Sequence, residues 1–466
     1  MARPKSPKKE DVYFFLGLYD NMFQDLAERH PSQSKTLFRD FETIKSRVES
    51  EGLTFLTKAL PRLGKAFDAR LVGGKFSIPL GFKPGKNRAL PAFLQGLLNL
   101  LFDSDGNLVC HDVSVIADIR QILFLVYKLE LPYSTKDIDR VVNAFVDTEE
   151  ELSHIILPPL EEERALICEL LEDYDPKDIV PKHGPGSVST GEKRDAKWIF
   201  SRKYPALHQV FPYYEYFVVG PTELLDRIHW YKSLLPGGIS TAKVCLVPKD
   251  SRGPRLISME PLEIQWIQQG IMRTLTHHIE SHQLTSGRVN FSDQEVNRQL
   301  ALDSSRHGVY ATIDLKDASD RVSLDLVRAI FPDRIVRALE AARSAQTELP
   351  SGEVLPLKKF APMGSAVCFP VEALVFWAIS LVAVSKKLGL SISQCSDLVY
   401  VYGDDIIVLT HCVDEVISAL EDVGLRVNVS KCCTSGSFRE SCGMDAYNGV
   451  NVVPLKIRHP WSGSSA

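Results

Sequence analysis

The sequence predicts an α+β fold in which an antiparallel sheet is flanked by helices, and three stretches carry that expectation. Leu398-Val399-Tyr400-Val401 and Ile406-Ile407-Val408-Leu409 are short apolar, partly β-branched runs on either side of Tyr402-Gly403-Asp404-Asp405. That is the pattern of two buried strands joined by a tight turn. A second strand-like run, Tyr310-Ala311-Thr312-Ile313, ends on Asp314. Ala373 to Val384 is continuously apolar before Lys386-Lys387, too short to span a bilayer and right for a core helix.

Taken from the N-terminus, 466 residues with 44% hydrophobic content can bury more than one core, so two or three subdomains are expected. Arg3-Pro4-Lys5-Ser6-Pro7-Lys8-Lys9-Glu10-Asp11 is charged and leads into no apolar signal core, so a cytoplasmic protein is expected. The nine cysteines are odd in number and scattered, with Cys432-Cys433 the one close pair; reduced thiols, not a disulfide scaffold or a zinc ribbon, follow. Residues 10 to about 60 have helical periodicity, Leu90 to Lys128 reads as helix, turn and helix around Asp103, and Glu150 to Glu172 is an acidic helical region broken by Pro158-Pro159. Asp173 to Pro185 is the clearest linker. Asp414 to Val423 reads as a helix ended by Gly424, Leu425 to Val429 alternates like an edge strand, and pieces of strand continue to Pro460.

The chemistry gathers around acids. If the two strand regions pair, Asp314, Asp404 and Asp405 converge. Hard divalent cations take oxygen ligands and keep several waters, so one or two carboxylates per ion suffice. The expected cofactor is Mg²⁺, as two ions, with Mn²⁺ as an alternative. A calcium loop over Asp314 to Asp325 fails, because Lys316, Ala318 and Ser319 stand where that loop needs acids and Gly. Asp103 begins a turn, not a calcium site, since Leu108 occupies the required Gly position.

Between the acidic strands, Pro362-Met363-Gly364-Ser365 offers backbone N–H groups and a hydroxyl at the start of the apolar helix. Pro370 suits a first helical turn, and Glu372 is expected there as an acid satisfied by the helix dipole. Lys243 to Arg255 is basic, with Lys243, Cys245, Val247 and Lys249 alternating as a strand into a turn. Although the chain carries −5, residues 182–260 hold 12 Lys+Arg against 7 Asp+Glu. A nucleic-acid enzyme needs a basic channel, not a basic whole. Trp198, Tyr213, Tyr214 and Tyr216 lie in that stretch, open to base stacking or to a core role. Gly186 to Lys193 is no P-loop, because Glu192 separates the second Gly from Lys193 and Arg194 follows.

The order of these segments, followed by Asn428-Val429-Ser430-Lys431 and Phe438-Arg439-Glu440-Ser441-Cys442-Gly443, resembles the replicases of the leviviruses, the single-stranded RNA bacteriophages. The resemblance runs from about Lys182 to His459. It implies a right-hand polymerase fold with fingers, palm and thumb. Residues 1–180 would be a helical region contributing to the fingers, 181–300 the fingers with a basic nucleotide-access segment, 301–440 the palm, and 441–466 the start of a thumb. The family continues into a substantial thumb where this chain stops, so either a fragment or a short thumb is expected.

Position by position, the resemblance implies catalytic and metal-binding roles for Asp314, Asp404 and Asp405, with Asp404 the stronger ligand of the pair. Lys431 would stand near the pyrophosphate as a general acid, and Gly364 and Ser365 would sense template and ribose. Lys243, Lys249, Arg252 and Arg255 would line the channel for the triphosphate. Ser365 and Cys368 stand where better-known members have Asn and Thr, and Asp320 lies six residues after Asp314 where many viral polymerases use five, so the ribose-sensing acid stays open.

The expected activity is RNA-directed RNA polymerisation in the cytoplasm of a bacterial host, with RNA template and product, nucleoside triphosphates, and no membrane. The resemblance also implies host partners: elongation factors Tu and Ts and a ribosomal protein. A reverse transcriptase is disfavoured by Gly403 and the downstream segments, and a non-catalytic RNA-binding scaffold by the retained acids.

Overall fold

The computed structural model describes residues 9–459 apart from Asn87, residues 219–224 and Asp226. The charged run Arg3 to Lys8 and the tail Trp461 to Ala466 lie outside the described residues. Helices and strands are mixed, as the sequence predicts, and the buried side chains form two large clusters.

The first cluster belongs to the N-terminal helices Lys9–Arg29, Ser34–Glu51, Leu60–Leu71, Gln95–Leu101 and Val113–Phe124. Phe15, Tyr19, Phe23 and Leu26 recur every three or four residues on one helix face, which is why that face is buried. Asp112 caps the last of these helices, its carboxylate accepting from the N–H groups of Ser114 and Val115. The Asp103 segment is the expected turn: Asp103 Oδ1 accepts from Asp105 N at 3.0 Å and Asn107 N at 2.7 Å.

Asp40 is buried in this region beside Arg39, and burial raises its carboxyl to about 7. The fold therefore favours the protonated acid. Its destabilising effect is absent near pH 4, grows as pH rises and is complete above about 7. Asp40→Asn is expected to leave Tm unchanged at pH 4 and to raise stability at pH 8 by up to about 4 kcal/mol, which melting curves at the two pH values check.

The second cluster surrounds a three-stranded antiparallel sheet. To define the strands in chain order: β1 is Arg202–Lys203, β2 Leu235–Pro236, β3 Thr241–Asp250, β4 Gly253–Met259, β5 Tyr310–Asp314, β6 Gln346–Glu348, β7 Val354–Pro356, β8 Val399–Tyr402, β9 Asp405–Leu409, β10 Phe438–Ser441, β11 Met444–Tyr447 and β12 Val450–Asn451. The central sheet has the order β5-β9-β8. Against it packs the Cys368–Leu388 helix, buried from Val371 to Val384. This helix is long and apolar enough to cross a membrane, but most of it lies inside the core. Its C-terminus stops at Gly389 with φ 64°. A second sheet, β4-β3-β6-β7, contains the basic hairpin β3–β4. Asp173 to Pro185 has no helix or strand, as expected of a linker, yet it is pinned down by buried Tyr174 and Ile179.

Two C-terminal expectations need correction. Leu425 to Val429 is not a strand: it makes one bridge, Val427 to Leu315, and then enters a turn in which Lys431 N donates to the Asn428 carbonyl at 2.8 Å. The strand pieces β10, β11 and β12 end at Asn451, and the irregular chain beyond them lies on the N-terminal helices. Ile457 N donates to Leu125 O at 2.7 Å, and Glu130 N donates to Arg458 O at 2.9 Å. Buried Arg120 reinforces this joint, donating to Asp68 at 3.0 Å, to Asp445 at 2.8 Å and to the Val452 carbonyl at 2.9 Å. Phe438, Tyr447 and Val452 complete the N-terminal core.

Candidate active site

The register of the central sheet builds the site. In it, Asp314 lies opposite Asp405, and Asp405 opposite Tyr402, so the last residue of β5 reaches the hairpin tip that carries Asp404. Gly403 has φ 62°, and a Cβ there would press on the Phe369 ring. The turn thus needs glycine both for its backbone and for the approach of the long helix.

Each acid has a distinct environment. Asp314 Oδ1 receives the Lys431 ammonium at 2.8 Å, and its Oδ2 accepts from Asn428 Nδ2 at 2.7 Å. Ser430 Oγ in turn holds Asn428 Oδ1 at 2.9 Å. Asp405 accepts from the Cys442 N–H at 3.0 Å, and burial followed by the charge of Asp404 raises its carboxyl to about 6. Asp404 is accessible at the tip; desolvation and then Asp314 raise its carboxyl, while Lys431 and Arg255 oppose the rise. Burial would lower the Lys431 ammonium, but Asp314 and Glu440 outweigh it and the group is held charged. Glu440, half-buried beside Asp445 and Lys431, is pushed up to about 7, chiefly by desolvation. Among the described residues, no three His, Cys, Asp or Glu side chains are gathered closely enough to hold an ion as they stand.

The basic hairpin divides into committed and available cations. Lys243 Nζ pairs with Glu348 at 2.7 Å, and Arg252 folds back on Asp250 at 2.7 Å. Lys249 and Arg255 are exposed. Partial desolvation of its ammonium by the surrounding chain, and then Arg255, lower Lys249, and Arg255 bears electrostatically on both Lys249 and Asp404. Of the four predicted residues, Arg255 is the one whose charge acts on Asp404, and Lys249 lies near Arg255 and Lys431.

Gly364 has φ 117°, and its loop is docked on β4 by a Ser258 N–H bond to the Met363 carbonyl at 2.8 Å. Ser365 is buried with its hydroxyl unpartnered. Glu372 corrects the sequence expectation: it lies beyond the first helical turn, is buried, and is pushed well up by desolvation, Asp404 and Asp320. It is an acid of the site's rear wall, not one satisfied by a helix end. Asp320 accepts from Lys359 Nζ at 2.9 Å.

Of the aromatic residues that sequence left open, Tyr213 is core, Tyr216 is partly buried against it, and Trp198 and Tyr214 are exposed. The Gly186 to Lys193 stretch is loop and turn, with Lys197 donating to the Gly184 carbonyl at 3.1 Å.

Sequence reasoning missed Lys359, Glu149 and the role of Cys442. Glu149 and Lys359 are 210 residues apart, so no local pattern announces their pairing.

The chain has recognisable relatives among known proteins. A family model described as RNA replicase, beta-chain, matches residues 146–465. The beta subunit of the RNA-directed RNA polymerase of Enterobacteria phage SP is 37% identical over 218 residues, 47% of this chain and 36% of that protein. The corresponding subunit of Escherichia virus Qbeta is 35% identical over 217 residues, 47% of this chain and 35% of that protein. The beta chain of Escherichia phage MS2 is 34% identical over 217 residues, 47% of this chain and 38% of that protein. The matches thus span little more than a third of these relatives' length. A solved RNA-dependent RNA polymerase of a human picorbirnavirus, an insertion-loop deletion mutant, aligns over 45% of each chain at 14% identity with a TM-score of 0.31, too low to read a fold from. The family match covers more than half of the sequence, and the chain belongs to the RNA replicase beta-chain family.

Proposed function

We propose that the chain is an RNA-directed RNA polymerase that extends an RNA strand from nucleoside triphosphates on an RNA template, by metal-assisted nucleotidyl transfer. The observation that carries this reading is the strand register that brings Asp314, Asp404 and Asp405 to one edge of a buried sheet, where the charges of Lys431 and Arg255 bear on Asp404. In this reading β5, β8 and β9 belong to a palm and the β3–β4 hairpin to fingers, with residues 1–180 supporting the fingers. The C-terminal strands close on the N-terminal helices, and 441–466 is the family's thumb side. The beta-chain description of the family supports a subunit that works with others, and the phage origin of the relatives supports action inside an infected bacterium.

The donor set fits Mg²⁺ or Mn²⁺: all three side chains offer hard carboxylate oxygens, and desolvation followed by the neighbouring carboxylate raises Asp404 and Asp405, a load that a bound cation would relieve. Two such ions supply activation of the attacking hydroxyl and stabilisation of the leaving pyrophosphate. Asp404 and Asp314 would be the principal ligands, with Asp405 held behind them by the Cys442 N–H. Lys431 is kept protonated beside Asp314; once released from that carboxylate it would be the proton donor to the departing pyrophosphate. Lys249 and Arg255 would neutralise the triphosphate.

Primer extension on RNA and DNA templates, with ribonucleotides or deoxyribonucleotides, tests the reading. Ribonucleotide incorporation on RNA supports it. Deoxyribonucleotide incorporation would make the chain a reverse transcriptase, and RNA binding without extension a scaffold.

Neutralising Lys249 or Arg255 is expected to raise KM for nucleotide and lower kcat, with template affinity changed less. If they track the template instead, each loss should shrink the salt slope of RNA binding by roughly 0.7. Nucleotide kinetics and a salt titration on the same variants separate the two roles.

A further inference from the structure

Lys359 is fully buried, and everything around it is built to fix its ammonium in one place. Its Nζ lies 2.9 Å from Asp320 Oδ1 and 3.2 Å from Glu149 Oε1, and 3.5 Å from the centroid of the Phe145 ring. A buried lysine requires such partners, because removing its charge from water is otherwise prohibitive. Glu149 is itself anchored, since its Oε2 accepts from the backbone N–H groups of Lys358 and Lys359.

The backbone carrying Lys359 is equally constrained. It runs antiparallel to residues 322–324: Leu324 N donates to Lys358 O at 2.8 Å and Phe360 N to Val322 O at 2.7 Å. Buried Arg343 donates to the carbonyls of Leu357, Lys359 and Phe360 at 3.2, 2.9 and 2.8 Å. The ammonium is therefore a fixed strut between the Thr135–Ser153 helix and the short helix Ala318–Arg321 that follows Asp314.

Asp320 is the one member of this group that reaches solvent, with its side chain 25% exposed against 6% for Glu149 and 0% for Lys359. Only its Oδ1 is engaged by Lys359. It also lies on the same side as buried Glu372, which borders Asp404. One carboxylate oxygen is thus held by Lys359, and Asp320 stands close enough to Glu372 for its charge to act there together with that of Asp404.

We propose that Lys359, anchored by Glu149, is a positioning residue for sugar specificity: it holds Asp320 oriented as the acceptor for the ribose 2′-hydroxyl of the incoming nucleoside triphosphate. This rests on the polymerase reading above. A site built to bond a hydroxyl rejects the analogue that lacks it far better than an apolar pocket does, but only while the acceptor is held in place.

The test measures kcat/KM for GTP and dGTP on an RNA template, and equilibrium Kd for both nucleotides, with the full chain. Wild type is expected to prefer GTP by both measures. Lys359→Met should lower the GTP-to-dGTP ratio roughly 10–10²-fold, through loss on the ribonucleotide side, and Asp320→Asn should lower it similarly. Glu149→Gln, which keeps Lys359 on Asp320, should move the ratio the same way by less. If Lys359→Met misfolds because Glu149 is left unpaired, the double variant Glu149→Gln/Lys359→Met removes that charge and decides the matter. A cooperative melt with an unchanged ratio in either would show Lys359 to be merely structural and overturn the proposal. Should wild type extend nothing, the polymerase reading fails, and the Kd comparison still judges Lys359: equal affinity for GTP and dGTP in wild type overturns its role.

Discussion

Asp404→Asn is expected to abolish extension, by at least ~10²-fold, while leaving RNA affinity nearly unchanged. The substitution is isosteric and falls at an accessible hairpin tip, so it removes a charge without opening a cavity. The charge it removes is one that the fold tolerates at a cost, since desolvation and Asp314 both disfavour it. Losing it should therefore leave stability unchanged or slightly improved. A single preorganised electrostatic group is worth a few kcal/mol in a transition state, which sets the expected loss. Single-turnover extension, RNA binding and melting on one preparation check all three statements; activity retained in Mg²⁺ would remove Asp404 from the chemistry.

Gly364→Ala is the second large effect, and it acts through the backbone. At φ 117° the residue lies where only glycine is comfortable, and a Cβ there would run into the Ser258 carbonyl and meet Ile257 Cγ2 at 2.7 Å. Residues forced into such regions cost about 1–3 kcal/mol, and overpacking against a neighbouring strand adds a comparable amount. The loop is expected to leave β4, displacing Ser365 and lowering both extension and Tm. Gly403→Ala offers the control. Its φ of 62° is a left-handed helical value that other residues do visit, and its clash is with the ring of Phe369, a side chain that can turn. The ordering predicted by melting and by extension is Gly364→Ala worse than Gly403→Ala.

The central sheet was legible in the sequence because each strand is a short apolar run bounded by a turn residue, and because the acids stand at strand ends where they break the apolar pattern. Pairing β5 with β9 needed only the assumption that two buried strands share a sheet. The Cys368–Leu388 helix was legible from its apolar length, but Glu372 was misread, since placing it in the first turn depended on a helix start that sequence locates only to within a few residues. Gly424 marked a helix end correctly; Leu425 to Val429 alternates convincingly and still forms only one bridge, because the chain turns at Asn428, whose carbonyl accepts from Lys431 N. What no pattern disclosed were contacts made across long separations: Lys359 with Glu149, Arg120 with Asp445, and Cys442 with Asp405. Those are fixed by how whole elements pack, and a charged residue looks the same in sequence whether it is solvated or buried in a pair. The split among Lys243, Lys249, Arg252 and Arg255 was hidden for the same reason.

The account turns on Asp314, Asp404 and Asp405 acting as one metal centre, although Lys431 and Asn428 occupy Asp314 in this structure. Anomalous scattering from Mn²⁺ in crystals of the full chain soaked with a non-hydrolysable nucleoside triphosphate tests this most directly. The account predicts manganese peaks bridging Asp314 and Asp404 to the triphosphate, with the Lys431 ammonium moved off Asp314 toward the phosphates. Peaks confined to other residues, with Lys431 still paired to Asp314 and the nucleotide bound elsewhere, would contradict it.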